Sequence, residues 1–98
     1  MKKERLRGKI KRRRIEFTLE APAAGEVIVA GDFNNWNLKS HPMKKAGNGI
    51  WNRTMVLPVG TYEYKFLIDG NWRLDPQNRQ VSRNCFGSLN NVLRLTEG

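Results

Sequence analysis

The sequence predicts an all-β domain, an immunoglobulin-like sandwich of about seven short, mostly antiparallel strands. Three observations carry that expectation. Apolar side chains recur with a period of two, turn residues interrupt them about every 8–12 positions, and no segment has the 3.6-residue period of a helix. At 98 residues the chain accommodates one such domain; a domain of roughly 60–150 residues buries about 60–70% of its unfolded surface, sufficient for a single core.

Each element has a local reason. Ile15, Phe17 and Leu19 alternate with Glu16, Thr18 and Glu20, the signature of a half-buried strand. Ala21-Pro22-Ala23-Ala24-Gly25 interrupts it, and Val27-Ile28-Val29-Ala30 forms a second, continuously apolar strand. Gly31 to Leu38 is a polar loop carrying Trp36. A third strand is expected over His41 to Lys45, and Gly47-Asn48-Gly49 turns the chain into a fourth from Ile50 to Leu57. Pro58 and Gly60 end that strand. From Thr61 to Ile68, Tyr62, Tyr64, Phe66 and Ile68 share one face, while Glu63, Lys65 and Leu67 share the other. Asp69-Gly70 then reads as a two-residue hairpin turn into Trp72-Arg73-Leu74, which Asp75-Pro76 stops. A short strand is expected near Gln80 to Ser82, and a last one from Asn91 to Thr96.

The hairpin register bears on function. With Asp69 and Gly70 as the central pair, Leu67 faces Trp72, so Trp72 and Lys65 project from the face opposite the aromatic row. A three-residue turn would instead turn Trp72 inward. Trp36 sits among turn formers, with Phe33 as the inward anchor of its loop; the alternative is that Trp36 folds back as a plug. Trp51 shares phase with Met55 and Leu57 and is expected in the core or at its edge.

Charge divides the chain. Of its 18 Lys and Arg, nine lie in residues 1–14 against Glu4, a net +8, whereas residues 15–98 are nearly neutral. Residues 1–14 are therefore expected to form a basic, flexible tail and residues 15–98 the folded domain. The tail can attract an acidic partner nonspecifically, nucleic acid included, with steep salt dependence. The near-neutral body lacks the interleaved basic and aromatic residues of a sequence-specific nucleic-acid surface.

Cys85 is the only cysteine, so no internal disulfide forms; with no apolar secretory stretch and no span of ~18 apolar residues, a cytoplasmic location is the expectation. His41 has no Cys, Asp or Glu at ligand spacing, so neither metal nor cofactor is expected. Asp69 and Asp75 are the nearest approach to a hydrolytic carboxylate pair, and turn chemistry accounts for both. The chain is read as a binding module and not an enzyme.

What it binds follows from exposed tryptophan in polar loops. The apolar C–H face of a sugar ring, bordered by hydroxyls, fits an indole plate. Four blocks in order then show a resemblance: Gly31-Asp32-Phe33-Asn34-Asn35-Trp36; Leu57-Pro58-Val59-Gly60 before Tyr62-Glu63-Tyr64-Lys65-Phe66; Asp69-Gly70-Asn71-Trp72 with Asp75-Pro76; and Phe86-Gly87-Ser88-Leu89-Asn90-Asn91-Val92. They cover about residues 15–96 and resemble carbohydrate-binding module family 48, which includes the glycogen-binding domain of the AMP-activated protein kinase β subunit and the N-terminal domains of isoamylases and branching enzymes.

The resemblance implies an early-set sandwich that binds α-1,4-linked glucan of the glycogen or starch type. It places the family's stacking tryptophans at Trp36 and Trp72, its sugar-binding lysine at Lys65 and its hydrogen-bonding asparagine at Asn90. The family's leucine and threonine before that asparagine become Phe86 and Ser88. Ser88 keeps the hydroxyl; Phe86 is larger and flat, and either stacks on a sugar or crowds the groove. A glycogen-metabolism enzyme or kinase is the implied protein partner, and a pure protein-contact sandwich is the competing role.

Overall fold

The computed structural model describes residues 11–97. Eight strands form two sheets: β1 (Arg12–Glu20), β2 (Val27–Gly31), β3 (Lys44–Lys45), β4 (Ile50–Pro58), β5 (Gly60–Ile68), β6 (Asn71–Arg73), β7 (Val81–Arg83) and β8 (Leu89–Leu95). One sheet has the order β1-β4-β3; the other runs β2-β5-β8-β7, with β6 also paired to β5. All pairings are antiparallel. A single 3-10 turn, Asp32–Asn34, is the only helical element among the described residues, and no helix is long and apolar enough to cross a membrane. The expected all-β sandwich is the observed one.

The alternating pattern of β1 becomes its burial: Phe17 and Leu19 are buried, Glu16 and Glu20 exposed. Val27 and Val29 of β2 and Tyr64 and Phe66 of β5 close the core from the other sheet. Phe17 meets Tyr64 edge-on with ring centroids 4.9 Å apart, and Phe33 from the 3-10 turn reaches Phe17 at 5.5 Å. Such aromatic pairs contribute about 0.5–1.5 kcal/mol beyond area burial. Trp51 is a core residue, as its phase predicts; its indole N–H donates to the Ala21 carbonyl at 2.9 Å, so burial leaves no orphan donor.

Three boundaries differ from expectation. Arg12, Arg13 and Arg14, assigned to the basic tail, belong to β1 and pair with Pro58, Leu57 and Val56. The length of β4 decides this: a nine-residue neighbour extends the ladder past the last apolar residue of β1. Residues 1–10 of the expected tail lie outside the described residues. The third strand is confined to Lys44–Lys45, because the segment before it pairs with the other sheet. There Val29 N–H donates to the His41 carbonyl and Met43 N–H to the Val27 carbonyl, so the chain switches sheets between Met43 and Lys44. The short seventh strand sits one residue later than expected, and the last one begins at Leu89.

The Asp69-Gly70 turn has two central residues. Ile68 pairs with Asn71 and Leu67 with Trp72, and both turn residues have positive φ, 48° and 86°. That is the left-handed geometry Asp-Gly tolerates in a tight hairpin. The Asp69 carboxylate also accepts the backbone N–H groups of Gly25 and Glu26, tying the turn to the entry of β2.

Candidate functional site

The face of β5 opposite the core carries Glu63 and Lys65. The loop after β2, the β5–β6 hairpin and the β7–β8 hairpin rise around it to make an open groove of about 740 Å³. Trp36, Lys65, Trp72, Phe86, Ser88 and Asn90 all line it. The six candidates from the sequence therefore meet at one place, although they come from three separate stretches of chain.

Trp36 owes its position to its loop. Gly31 leaves β2, Asn34 caps the turn by accepting the Gly31 N–H, and Asn35 and Trp36 both take left-handed backbone, φ 55° and 58°. For tryptophan this conformation is costly, and residues held so cluster at functional sites. The Trp36 N–H donates to the Gly31 carbonyl at 2.8 Å, and its indole N–H donates to Asp32 Oδ1 at 3.0 Å. Asp32 Oδ2 accepts the Glu63 backbone N–H at 2.8 Å, so one carboxylate pins the indole to the edge of β5. Phe33 takes the inward position that the sequence assigned to it, packed on the core.

Trp72 arrives by register. Facing Leu67 across the hairpin, it stands outward and 48% exposed. Its ring centroid lies 6.1 Å from that of Trp36, with the planes inclined at 69°. Neither indole is sealed in the core.

The third wall is the β7–β8 hairpin. Asn84 Oδ1 accepts the N–H groups of Phe86 and Ser88, and Gly87 has φ 84°, which together fold a tight tip. Phe86 stands at that tip, 90% exposed, with no apolar neighbour to bury it. Ser88 Oγ lies 3.5 Å from Lys65 Nζ and accepts from Asn84 Nδ2 at 2.7 Å.

Asn90 forms the floor and is buried. Its Oδ1 accepts from Asn84 Nδ2 at 3.2 Å, and its Nδ2 donates to Glu63 Oε1 at 2.9 Å. One N–H and one lone pair of the amide remain for a ligand. Asn91 points the other way and is fully buried; it accepts the Asp75 N–H and donates to the Asn78 carbonyl, latching the loop before β7. Tyr64 joins that latch by donating to Asp75 Oδ2 at 2.7 Å. Burial holds its phenol well above the usual range, opposed by the Asn78 amide and reinforced by the Asp75 carboxylate.

Asp32, Glu63, Arg83 and Asn84 also line the groove and were not singled out in the sequence. Glu63 shares strand parity with Lys65, a signal that could have found it. Asn84 gave none, because a hairpin tip places side chains by loop geometry and not by period, and Arg83 ends β7 opposite Leu89, one residue beyond the strand expected from the sequence. Among the described residues, no group of three or more His, Cys, Asp and Glu side chains is arranged to hold a metal ion.

The family model for the glycogen recognition site of AMP-activated protein kinase matches residues 14–98. Protein PTST homolog 2, chloroplastic, of Arabidopsis thaliana is 39% identical over 74 residues, covering 76% of this chain and 13% of that protein. The 5'-AMP-activated protein kinase subunit beta-2 of Homo sapiens is 37% identical over 70 residues, 71% of this chain and 25% of that subunit. The chain thus spans between about an eighth and a quarter of these relatives. The crystal structure of a maltogenic amylase from S. marinus shares the fold, with a TM-score of 0.74 at 23% identity over 90% of this chain and 14% of that one.

Proposed function

The chain belongs to the family of the glycogen recognition site of AMP-activated protein kinase, and from that premise we propose that it binds α-1,4-linked glucan without cleaving it. Trp36 and Trp72 stack on the C–H faces of consecutive glucoses. Lys65, Ser88 and the free part of the Asn90 amide bond their hydroxyls, and Phe86 supplies an apolar wall at the open end. The observation that carries this reading is the pair of indoles, 6.1 Å apart and inclined at 69°, lining one groove with Lys65. Inclined plates follow a curved α-1,4 chain, whereas a straight β-1,4 chain would favour a flat strip. A neutral polymer offers no charge, and each hydrogen bond contributes only ~0.5–1.5 kcal/mol after exchange with water. Binding is correspondingly modest for one site and rises when several modules engage one branched particle.

The one carboxylate pair singled out from the sequence supports a non-catalytic role. Asp69 is occupied by Gly25 and Glu26, and Asp75 by Tyr64 and Gln77. Neither lines the groove. In a longer protein the module would bring a partner, such as a kinase or a glucan-metabolising enzyme, to the polymer.

Titration with maltoheptaose tests the reading. Tryptophan fluorescence should shift in the intact chain, and glycogen should retard it in a native gel. Absence of any response at millimolar oligosaccharide would remove the proposal.

A further inference from the structure

Hydrogen bonds across the floor of the groove run in one direction. The Asn84 side chain uses its whole capacity: Oδ1 accepts the backbone N–H groups of Phe86 and Ser88 at 2.9 and 3.2 Å, and Nδ2 donates to Ser88 Oγ at 2.7 Å and to Asn90 Oδ1 at 3.2 Å. Asn90 Nδ2 donates in turn to Glu63 Oε1 at 2.9 Å. The two ends fix the sense of this chain of bonds. A backbone N–H only donates and a carboxylate only accepts, so neither amide can turn over without facing donor to donor or acceptor to acceptor. The sense decides what each group has left. Ser88 Oγ accepts from Asn84 and lies 3.5 Å from the Lys65 ammonium, itself a donor, so the Ser88 hydrogen has no acceptor among the described residues. Glu63 Oε2 receives no hydrogen bond among the described residues, and Asp32 holds the Glu63 backbone N–H at 2.8 Å, fixing the root of that side chain.

Glucose hydroxyls both donate and accept, and neighbouring hydroxyls on one ring can divide the two roles. Resting on the glucan reading above, we propose that Glu63 is a further sugar-contacting residue, accepting from one glucose hydroxyl while Ser88 and Lys65 donate to another, and that Asn84 is the positioning residue that assigns these roles. The printed contacts link all the groups concerned, from Lys65 through Ser88, Asn84 and Asn90 to Glu63, and all five line the groove. A hydroxyl bonded to a carboxylate makes a charge-assisted hydrogen bond, roughly twice as strong as a neutral one. Glu63 therefore adds a directed polar contact to a surface otherwise dominated by indole planes. Asn84 has no valence left for the sugar. It acts by keeping Ser88 a donor toward the ligand and by keeping the Asn90 amide nitrogen turned toward Glu63.

The experiment is a double-mutant cycle on the whole chain, read by thermal melts and by maltoheptaose titration. Asn84→Asp keeps both bonds to the tip backbone but puts an acceptor where Nδ2 donated. The Ser88 hydroxyl then turns to donate to the new oxygen, and the Asn90 amide turns over, setting its Oδ1 against Glu63. Affinity should fall about three- to tenfold, the worth of one or two ordinary hydrogen bonds, and the melting midpoint should drop. Adding Glu63→Gln supplies an N–H for the inverted Asn90 amide, so the double variant should melt about 4 °C or more above Asn84→Asp alone. Glu63→Met, which removes the charge without supplying a donor, should not match that gain. In the unaltered background Glu63→Gln should bind maltoheptaose about threefold weaker or more, because the charge-assisted bond is lost. Undiminished binding by Asn84→Asp or by Glu63→Gln would overturn the role given to that residue. Equal rescue by Glu63→Gln and Glu63→Met would overturn the fixed sense of the bonds. Should Asn84→Asp fail to melt cooperatively, Ser88→Ala and Glu63→Gln decide the matter, and wild-type affinity in both would overturn the proposal. If the unaltered chain bound no oligosaccharide, the glucan reading itself would fall, while the melts would still decide the direction of the bonds.

Discussion

The indole of Trp36 and that of Trp72 meet edge to face, 6.1 Å between centroids and 69° between planes, although 35 residues separate them in the chain. One is held by a left-handed loop and an aspartate, the other by hairpin register. Their shared orientation makes the groove, and it sets the first prediction.

Trp72→Ala should weaken maltoheptaose binding strongly and leave the fold nearly unchanged, since the side chain is half exposed. Covering about 60 Å² of indole at roughly 25 cal/mol per Å² corresponds to ~1.5 kcal/mol, or about tenfold in Kd. Calorimetry beside a urea melt separates the two quantities. A large loss of stability with unchanged affinity would mean that Trp72 serves packing.

Asp32 is a positioning residue for Trp36, holding its indole N–H with one oxygen and the Glu63 backbone with the other. Asp32→Ala should release the indole, red-shift its emission and reduce glucan affinity by several fold. Asp32→Asn, which retains one acceptor oxygen, should lie between it and the wild type. Identical affinity in all three proteins would contradict the assignment.

Gly31→Ala should destabilise the domain by about 3 kcal/mol or more. A Cβ there would stand 2.4 Å from the Glu63 carbonyl oxygen and 2.8 Å from Tyr64 Cβ, and overpacking against groups that cannot move costs ~1–3 kcal/mol or beyond. The reason is space, because φ at Gly31 is −176°, open to any residue. Thermal denaturation reads the effect; a midpoint within a few degrees of wild type would show that β2 and β5 can separate freely.

His41 should make stability depend on pH. Burial lowers its pKa below the ordinary 6.5, and Arg53 lowers it further. Its Nδ1 faces the Asn34 amide at 2.9 Å, an arrangement in which the neutral ring accepts. With the folded pKa depressed, the unfolded chain binds more protons as pH falls through 6.5, so this contribution destabilises the fold in acid and vanishes above neutrality. Melts between pH 7.5 and 5.5 should fall more steeply for wild type than for His41→Gln. Parallel curves would exclude the histidine as the source.

How far the site could be read from the chain depended on which kind of order placed each residue. Strand period is written in consecutive side chains, so the core face of β5 and the outward direction of Lys65 were legible. The Asp69-Gly70 pair is a local conformational preference, and it carried the register that turns Trp72 outward. The blocks around Trp36 and Phe86 identified the family because turn chemistry is also local.

Other features came from groups far apart in sequence. The pairing of Arg12 to Arg14 depends on the reach of β4, which no property of three arginines announces. The sheet switch at Met43 depends on backbone groups of β2 accepting and donating where side chains give no signal. The burial of Asn90, the tether of Asp32 and the presence of Arg83 at the groove arise where separate loops converge. Local sequence specifies conformation through sterics and hydrogen bonds over a few residues, and it therefore named the elements and most of the side chains that line the groove. Which donors and acceptors remained free for a ligand was settled by long-range packing, because a polar group is satisfied or left available only by the neighbours that folding brings to it.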